Sequence, residues 1–196
     1  MKTKLKTAPA TDLLTLEEIK QQRGIVIGDT WDDDFLKSLR DTATEEVEAW
    51  LRRRCITQTW YFYLQRWPDR NYIVLPYGSL QSVTAITYKD TDGDSNTFST
   101  DDYIVESDTD PGRVVLAYGE SWPSITLYPS NPIRIEFVCG YGDSRADVPE
   151  SIRSAAKLIV ADMFEHREPT VIGTIVQKLP TVENLLTKYK AWWCVP

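Results

Sequence analysis

The chain has 196 residues, of which 42% are hydrophobic, and a formal net charge of −7. A chain of this size buries enough apolar surface to fold without metals or disulfides, and its composition excludes an intrinsically disordered protein. The excess of acids argues against nonspecific nucleic-acid binding, which needs clustered Lys and Arg.

The cysteines lie at long, irregular spacings, at Cys55, Cys139 and Cys194, and form no metal-binding or redox motif. We therefore expect buried or incidental thiols in a reducing compartment. The chain shows no signal-like apolar run at its start and no apolar stretch long enough to cross a bilayer. We expect a protein that is made and kept in a cytoplasm unless it is assembled into a particle.

The first predicted elements are a mobile arm and a short helix. Residues 1–12, rich in Lys, Thr and Ala, are expected to form a flexible N-terminal arm. Thr15 and Glu18 have the spacing of a capping box, which predicts a helix that runs to about Gln22. Gly24 is expected to end this helix.

A second helix is predicted from Thr30 to Arg54. Asp33 and Asp34 would lie in its first turn, where the helix dipole favours acids, so the acidic cluster requires no metal. The three arginines at 52–54 would end the helix, either as a C-terminal cap with charge towards a partner or as a phosphate patch. The predicted apolar stripe consists of Phe35, Leu36, Leu39, Ala43, Val47, Trp50 and Leu51.

From Ile56 onwards the hydrophobic period changes to two, which predicts β-strands. We expect strands over 57–64, 72–75, 80–88 and 133–139, and short strands near 103–105 and 114–116. The Asp-rich loop at 90–94 could be a calcium loop, but its glycine is at the fourth position rather than the sixth. A β-hairpin turn that uses Asp-Gly chemistry fits the loop better.

Residues 90–110 contain eight acids and no Lys or Arg. This concentration is either a solvated loop face or a functional acidic surface that repels DNA or pairs with a basic partner. The candidate residues of the functional acidic surface are Asp90, Asp92, Asp94, Asp101, Asp102, Asp108 and Asp110.

The clearest helical pattern in the chain lies near 149–167. Pro149 and Glu150 suit a first turn, and His166 and Arg167 suit a last turn. Apolar residues recur between them at three- and four-residue steps, which predicts one buried face and a central packing helix. These residues are Ile152, Ala155, Ala156, Ile159, Val160 and Met163.

Two C-terminal segments are candidates for contact with a partner. Residues 170–179 are apolar without a helical period, and Val182–Trp193 predicts a short helix with an aromatic side. Either segment could equally pack on its own domain. The candidate contact residues are Val171, Ile172, Ile175, Val176, Leu185, Leu186, Tyr189, Trp192 and Trp193.

Several of these patterns occur in the order that is typical of one known family. GYGD at 140–143 is followed by VPESIR at 148–153, an apolar helix and EHRE at 165–168. Upstream lie LTLEEIK at 14–20, ITQTW at 56–60 and VLPYGSLQSVTAITYKDTDG at 74–93. Over roughly residues 13–190 the chain resembles the head–tail connector (adaptor) proteins of long-tailed bacteriophages and prophages.

The resemblance implies an α+β fold with a mainly helical core. The core would contain the N-terminal helices, the long central helix near 149–167 and a short C-terminal helix. An antiparallel β-rich region would be inserted at about 56–139. The whole of 13–196 would form a single connector domain.

The resemblance also implies a virion structural protein, not an enzyme, with no cofactor. Such proteins form a ring of about twelve subunits beneath the portal protein, extend the DNA channel used in DNA packaging, and dock head-completion or tail proteins. DNA would pass through without sequence-specific binding, and no membrane is involved. The protein would be located at the head–tail junction of the virion, after assembly in the host cytoplasm. Its C-terminal segment would reach the portal, and the acids at 90–110 would face the channel or the tail side.

The residues themselves leave two alternatives to a structural role. The Asp-rich loop and the many aromatics suggest a calcium- or carbohydrate-binding β-rich module. The abundant carboxylates would allow a carboxylate-based hydrolase, although nothing singles out one pair. The only histidine, His166, lies at a predicted helix end, and the sequence has no P-loop or other nucleotide or nucleophile motif.

Overall fold

The computed structural model describes residues 2–166 and 180–191, which divide into two compact units. The β unit is formed by residues 2–10, 57–141 and 191, and the helical unit by 11–56, 142–166 and 180–190. The α+β class and the antiparallel pairing of the strands are as predicted. Among these residues, no helix has the length and apolar character that crossing a membrane requires.

The β unit contains two antiparallel sheets. The larger sheet has the order β1-β2-β8-β4-β5, and the smaller has the order β3-β7-β6. The strands are β1 (Lys2–Thr7), β2 (Gln58–Leu64), β3 (Tyr72–Val74), β4 (Leu80–Lys89), β5 (Ser95–Phe98), β6 (Tyr103–Glu106), β7 (Arg113–Leu116) and β8 (Ile133–Cys139).

The central strand β8 carries the core of the larger sheet. Its residues alternate strictly between buried and half-buried, as the sequence predicts for a strand with one covered face. The buried residues are Ile133, Ile135, Phe137 and Cys139, each 0% exposed. Phe62 from β2 and Ile86 from β4 lie on the same side and belong to the same hydrophobic core.

The N-terminal segment is a strand and not the predicted mobile arm. β1 pairs antiparallel with β2, with Lys2 opposite Tyr63 and Lys4 opposite Tyr61. The backbone groups of β1 satisfy the hydrogen-bonding groups along that edge of β2. Composition alone could not reveal this pairing, because the partner strand begins more than fifty residues later in the chain.

The helical unit begins with α1 (Leu16–Arg23), whose N-terminus is built as predicted. The Thr15 backbone N–H donates to Glu18 Oε2 at 2.8 Å, and the Glu18 N–H donates to Thr15 Oγ1 at 3.0 Å. Together these two bonds form the capping box. Gly24 ends the helix in the left-handed conformation with φ of 67°, which favours glycine.

The helix α2 (Asp33–Leu51) is shorter at both ends than the predicted span of Thr30 to Arg54. Arg52 adopts a left-handed conformation with φ of 56° and ends the helix, so the three arginines follow the helix and do not form its last turn. Arg54 pairs with Glu48 at 2.7 Å, and Arg53 donates to the Tyr189 carbonyl oxygen. Two of the three arginines thus hold the helical unit together.

The helix α3 (Glu150–Glu165) is central to the helical unit, as predicted, and packs against α1, α2 and α4 (Pro180–Leu186). Pro149 caps its N-terminus, and His166 caps its C-terminus. Its fully or almost fully buried residues are Ile152, Ala155, Ala156 and Val160. A short 3₁₀ turn, Thr187–Tyr189, follows α4.

Candidate interaction surfaces

A group of exposed apolar side chains lies in the loop between α1 and α2 and in the first turn of α2. The side chains are Val26, Ile27, Trp31 and Phe35, with exposed fractions of 75%, 49%, 90% and 36%. We call these four residues the Trp31 patch. A tryptophan that is 90% exposed leaves a large apolar surface in water, and such a surface marks a contact site when apolar neighbours surround it.

The loop that carries the Trp31 patch is held in place by contacts with the buried Lys20 of α1. Lys20 is 4% exposed, donates to the Asp29 carbonyl oxygen and pairs with Asp33 at 2.5 Å. The Asp29 carboxylate in turn accepts from the Trp31 backbone N–H at 3.1 Å. The buried lysine therefore contacts both the middle of the loop and the start of α2, and it holds the patch in a defined conformation within the single chain.

The Trp31 patch lies in an acidic setting. Residues 24–36 contain four aspartates, Asp29, Asp32, Asp33 and Asp34, and no Lys or Arg. A hydrogen bond from Lys37 and its charge lower the pKa of Asp34, so this carboxylate remains charged in mildly acidic solution. Lys20 and Lys37 pair with Asp33 and Asp34, so the charge that a partner of the patch would meet is that of the exposed Asp29 carboxylate, which positive charge beside apolar surface would complement.

The larger sheet presents a basic, aromatic surface on the side opposite its core. Across β1, β2 and β8, one row of the register contains Lys2, Tyr63 and Arg134, and the next but one along the strands contains Lys4, Tyr61 and the acid Glu136. The Tyr61 and Tyr63 rings lie 6.2 Å apart, and the Arg134 guanidinium is 5.0 Å from the Tyr61 ring centre. We call Lys2, Lys4, Lys6, Tyr61, Tyr63 and Arg134 the basic face.

The charges of the basic face are only partly neutralised. Lys6 pairs with Glu136 at 2.6 Å, and this hydrogen bond raises the pKa of Lys6. Lys2 and Lys4 are exposed, and neither makes an ion pair with another residue of the described chain. The basic face therefore has free positive charge beside two half-buried aromatic rings.

The acidic residues singled out in the sequence lie on loops and turns of the β unit. Asp90, Asp92 and Asp94 form the turn of the β4–β5 hairpin, as predicted, and Asp90 Oδ1 accepts from the Asp92 and Asp94 N–H groups at 3.1 and 3.0 Å. Asp101 and Asp102 lie in a 3₁₀ turn before β6, and Asp108 and Asp110 link β6 to β7. Within the described ranges, no group of three or more His, Cys, Asp and Glu residues could hold a metal ion.

The predicted C-terminal contact residues are only partly within the described chain. Val171, Ile172, Ile175, Val176, Trp192 and Trp193 lie outside it. Leu186 is 2% exposed, so its side chain is occupied by packing within the fold. Leu185 and Tyr189 are half-buried and retain some surface for a partner.

The aromatic residues of the β unit are largely engaged with one another. The Trp67 and Trp122 rings are stacked with centres 5.0 Å apart, and Trp67 also packs against Phe98 and Tyr88. Trp122 Nε1 donates to the Arg70 carbonyl oxygen at 2.9 Å. A sugar-binding platform needs an aromatic ring with a free face, and the Trp67 ring is instead part of an internal cluster.

His166, Cys55 and Cys139 are held in helix-end or buried positions that do not favour nucleophilic or acid–base chemistry. His166 Nδ1 lies 3.1 Å from the Asp162 carbonyl oxygen at the end of α3. The thiols of Cys55 and Cys139 have no exposed surface, and burial raises the pKa of Cys55 far above its usual value. A thiol held in its neutral form is a poor nucleophile.

The Trp31 patch and the basic face were not predicted from the sequence. A weak signal for the patch was present, because Val26 and Ile27 lie between two glycines and Trp31 lies directly before the aspartates at 32–34. The basic face had no such signal, since it requires the pairing of β1 with β2. Exposure of an apolar side chain is a tertiary property that local pattern does not determine.

Comparison with known proteins gives similarity in structure alone. No protein-family model and no curated protein matches the chain. A solved chain described as "Neck of empty GTA particle computed with C6 symmetry" is 21% identical, with a TM-score of 0.82 over 100% of this chain and 98% of that chain. A chain of "Virion of native gene transfer agent (GTA) particle" is 20% identical, with a TM-score of 0.80 and the same coverage.

A third solved chain is described as "Neck of native GTA particle computed with C12 symmetry". It is 19% identical and has a TM-score of 0.78, again over 100% of this chain and 98% of that chain. The three comparisons show that the chain has the fold of those chains along its full length.

Proposed function

We propose that this chain is a structural protein of the neck of a phage-like particle, located at the junction of head and tail. The observation that carries the proposal is the similarity in fold to a particle neck chain, with a TM-score of 0.82 over almost the whole of both chains. Independently of the fold, the sequence motifs indicate the same class of protein. They occur in the family's order at 14–20, 56–60, 74–93 and 140–168.

Within the neck, we propose the role of a head–tail connector, or adaptor. Copies of the chain would form a ring beneath the portal protein, extend the DNA channel and present a docking surface for head-completion or tail proteins. Two of the similar structures carry sixfold and twelvefold symmetry in their descriptions, which is consistent with a cyclic arrangement of subunits. The protein would act by assembly and not by catalysis.

The C-terminal segment remains the proposed contact with the portal. Leu185 and Tyr189 would contribute from the described part, and Val171, Ile172, Ile175, Val176, Trp192 and Trp193 from outside it. The acids at 90–110 remain a proposed channel-side or tail-side surface, and repulsion of DNA phosphates would keep the channel from binding its cargo.

The proposal is tested by the mass of the purified chain in solution across a concentration series, with negative-stain images of the same samples. Rings with a central hole, formed by the chain alone or on addition of its cognate portal, are the expected result. A chain that remains monomeric and also fails to bind the portal would overturn the proposed function. Removal of residues after 180 should abolish portal binding if the C-terminal segment makes that contact.

A further inference from the structure

We propose that the Trp31 patch of one copy docks on the basic face of the next copy, and that this head-to-tail contact joins neighbouring subunits. The inference rests on the proposed function, because it names the contact through which such a ring would form. Every copy carries both surfaces, and the contact joins the Trp31 patch of one copy to the basic face of another. One surface carries an exposed tryptophan among aspartates, and the other surface carries two tyrosines among lysines and an arginine.

The negative charge beside the Trp31 patch limits which surface can bind it. Asp33 and Asp34 are paired with Lys20 and Lys37, whereas Asp29 is exposed and makes no ion pair with the described residues, so a second Trp31 patch would bring two Asp29 carboxylates together. A self-complementary dimer through this surface is therefore disfavoured. The occupant must carry positive charge, and it must also offer apolar or aromatic surface to cover a side chain that is 90% exposed.

The basic face meets both requirements. Lys2 and Lys4 are exposed and lack an ion pair with the described residues, so they are available to Asp29 of another copy. Tyr61 and Tyr63 lie between these lysines and Arg134 and provide aromatic surface for Trp31. Aromatic contact combined with charge complementarity is typical of the residues that dominate interface energies.

The geometry of such a contact leads to a ring or a filament. Each copy contributes its Trp31 patch to one neighbour and its basic face to another. Contacts between two different surfaces are heterologous, and they close into a ring when the rotation per subunit divides a full turn.

The test uses two variants that each remove one surface. Trp31→Ala removes the centre of the patch, and Lys2→Glu/Lys4→Glu reverses the charge of the basic face. Both changes are at exposed positions, so each variant should fold, and the melting temperature of each checks this. Each variant should weaken self-association at least about tenfold, measured as mass against concentration, both free and on the portal.

Mixing the two variants distinguishes this contact from other arrangements. The patch of the Lys2→Glu/Lys4→Glu variant is intact, and so is the basic face of the Trp31→Ala variant. An equimolar mixture should therefore form a one-to-one dimer that cannot grow further, whereas each variant alone stays monomeric. At about 1 M salt, where the screening length is about 3 Å, this dimer should be weakened.

Two matched variants act as controls. Tyr118→Ala removes another fully exposed aromatic side chain, and Lys89→Glu reverses another exposed lysine of the β unit. Neither belongs to either surface, so both should assemble like the unchanged chain.

Three outcomes would overturn the inference. Rings that are unaffected by both surface variants would show that copies meet elsewhere, and the proposed function would still stand. Variants that are each monomeric and remain so when mixed would show that the two surfaces do not bind each other. An unchanged chain that does not self-associate, either free or on the portal, would exclude the contact altogether.

Discussion

Glu18 closes the capping box of α1 and at the same time forms an ion pair with Arg153 of α3. One carboxylate therefore both starts a helix and joins it to the central helix of its unit. Arg153 also pairs with Glu150 at 2.9 Å within α3. The two motifs that contain Glu18 and Arg153 are 135 residues apart in the sequence, and their meeting depends on the fold.

Replacement of Arg153 by alanine should destabilise the protein by about 1–3 kcal/mol, because a half-buried carboxylate would lose its cation. Chemical denaturation followed by circular dichroism measures the change. Lys157→Ala is the control, because Lys157 pairs at 3.2 Å with the more exposed Glu150, and its loss should cost less than about 0.5 kcal/mol. Equal effects of the two substitutions would contradict a special role for the Glu18–Arg153 pair.

The same pair should make stability depend on pH in the acid range. Burial alone would raise the pKa of Glu18, but the Thr15 N–H and the Arg153 charge outweigh it and hold the pKa below its usual value. A lowered pKa in the folded state stabilises the protein above the unfolded value of about 4.3, and this stabilisation is lost as the pH falls through the folded pKa.

The stability difference between the unchanged chain and Arg153→Ala should therefore be largest near neutral pH and shrink below about pH 4.3. Urea unfolding at several pH values for both proteins measures this difference. A difference that stays constant down to about pH 3 would show that the contribution of Arg153 is packing and not charge.

Gly142 should not tolerate a side chain. A Cβ at this position would lie 2.6 Å from the Cβ of Asp147. The Asp147 carboxylate accepts from the Ser144 N–H at 2.9 Å and is held in a 3₁₀ turn, so it has little room to move. Gly142→Ala should therefore destabilise the protein by about 1–3 kcal/mol.

Gly28→Ala is the matched control for Gly142→Ala, since an added Cβ at Gly28 has no heavy atom within 4 Å. Its melting temperature should equal or exceed that of the unchanged chain. If the two alanine variants have equal melting temperatures, Asp147 can move away from an added side chain at Gly142 at little cost.

Cys55 and Cys139 should resist alkylation in the folded protein, because each is 0% exposed. Iodoacetamide treatment followed by peptide mass spectrometry reports each cysteine separately, which is necessary because Cys194 lies outside the described residues. Both thiols should react fully after addition of denaturant. Modification of Cys139 without denaturant would mean that the core of the larger sheet opens readily.

The pairing of β1 with β2 should be visible in amide hydrogen exchange. In an antiparallel edge strand, alternate N–H groups point to the neighbour, so protection should alternate along Lys2–Thr7. Residues 8–10, which follow the strand, serve as the internal control and should exchange rapidly. Uniformly fast exchange from residue 2 to residue 10 would contradict the pairing of β1 with β2 and would support the mobile arm that the composition predicts.

Elements with strong local signals could be predicted from the sequence. The Thr15–Glu18 capping box, the alternation of β8 and the hairpin turn at 90–94 each depend on residues only a few positions apart. The sequence pattern predicts too late an end for α2, because Arg52 takes a left-handed conformation that glycine or asparagine usually occupies. The sequence does not predict the strand β1, because that strand depends on pairing with the distant β2.

The interaction surfaces were harder to predict for a related reason. Apolar residues at regular spacing indicate that a face is covered, but they do not say whether the cover belongs to the same chain. The sequence pattern predicts partner contact for Leu186, which is only 2% exposed, whereas Trp31 lies outside every predicted apolar face and is 90% exposed. The difference between the two depends on how α4 and the loop before α2 pack, which only the fold determines.

The division of the chain between the two units has a consequence for the order in which it folds during synthesis. The last strand of the larger sheet ends at Cys139, so all strands of that sheet leave the ribosome before α3 does. The helices α1 and α2 must wait for Glu150, about a hundred residues after Leu51, which corresponds to roughly 5–20 s on a ribosome. A polypeptide that ended before α3 would thus contain every strand of the larger sheet, but its helices α1 and α2 would lack the helix that packs against both of them.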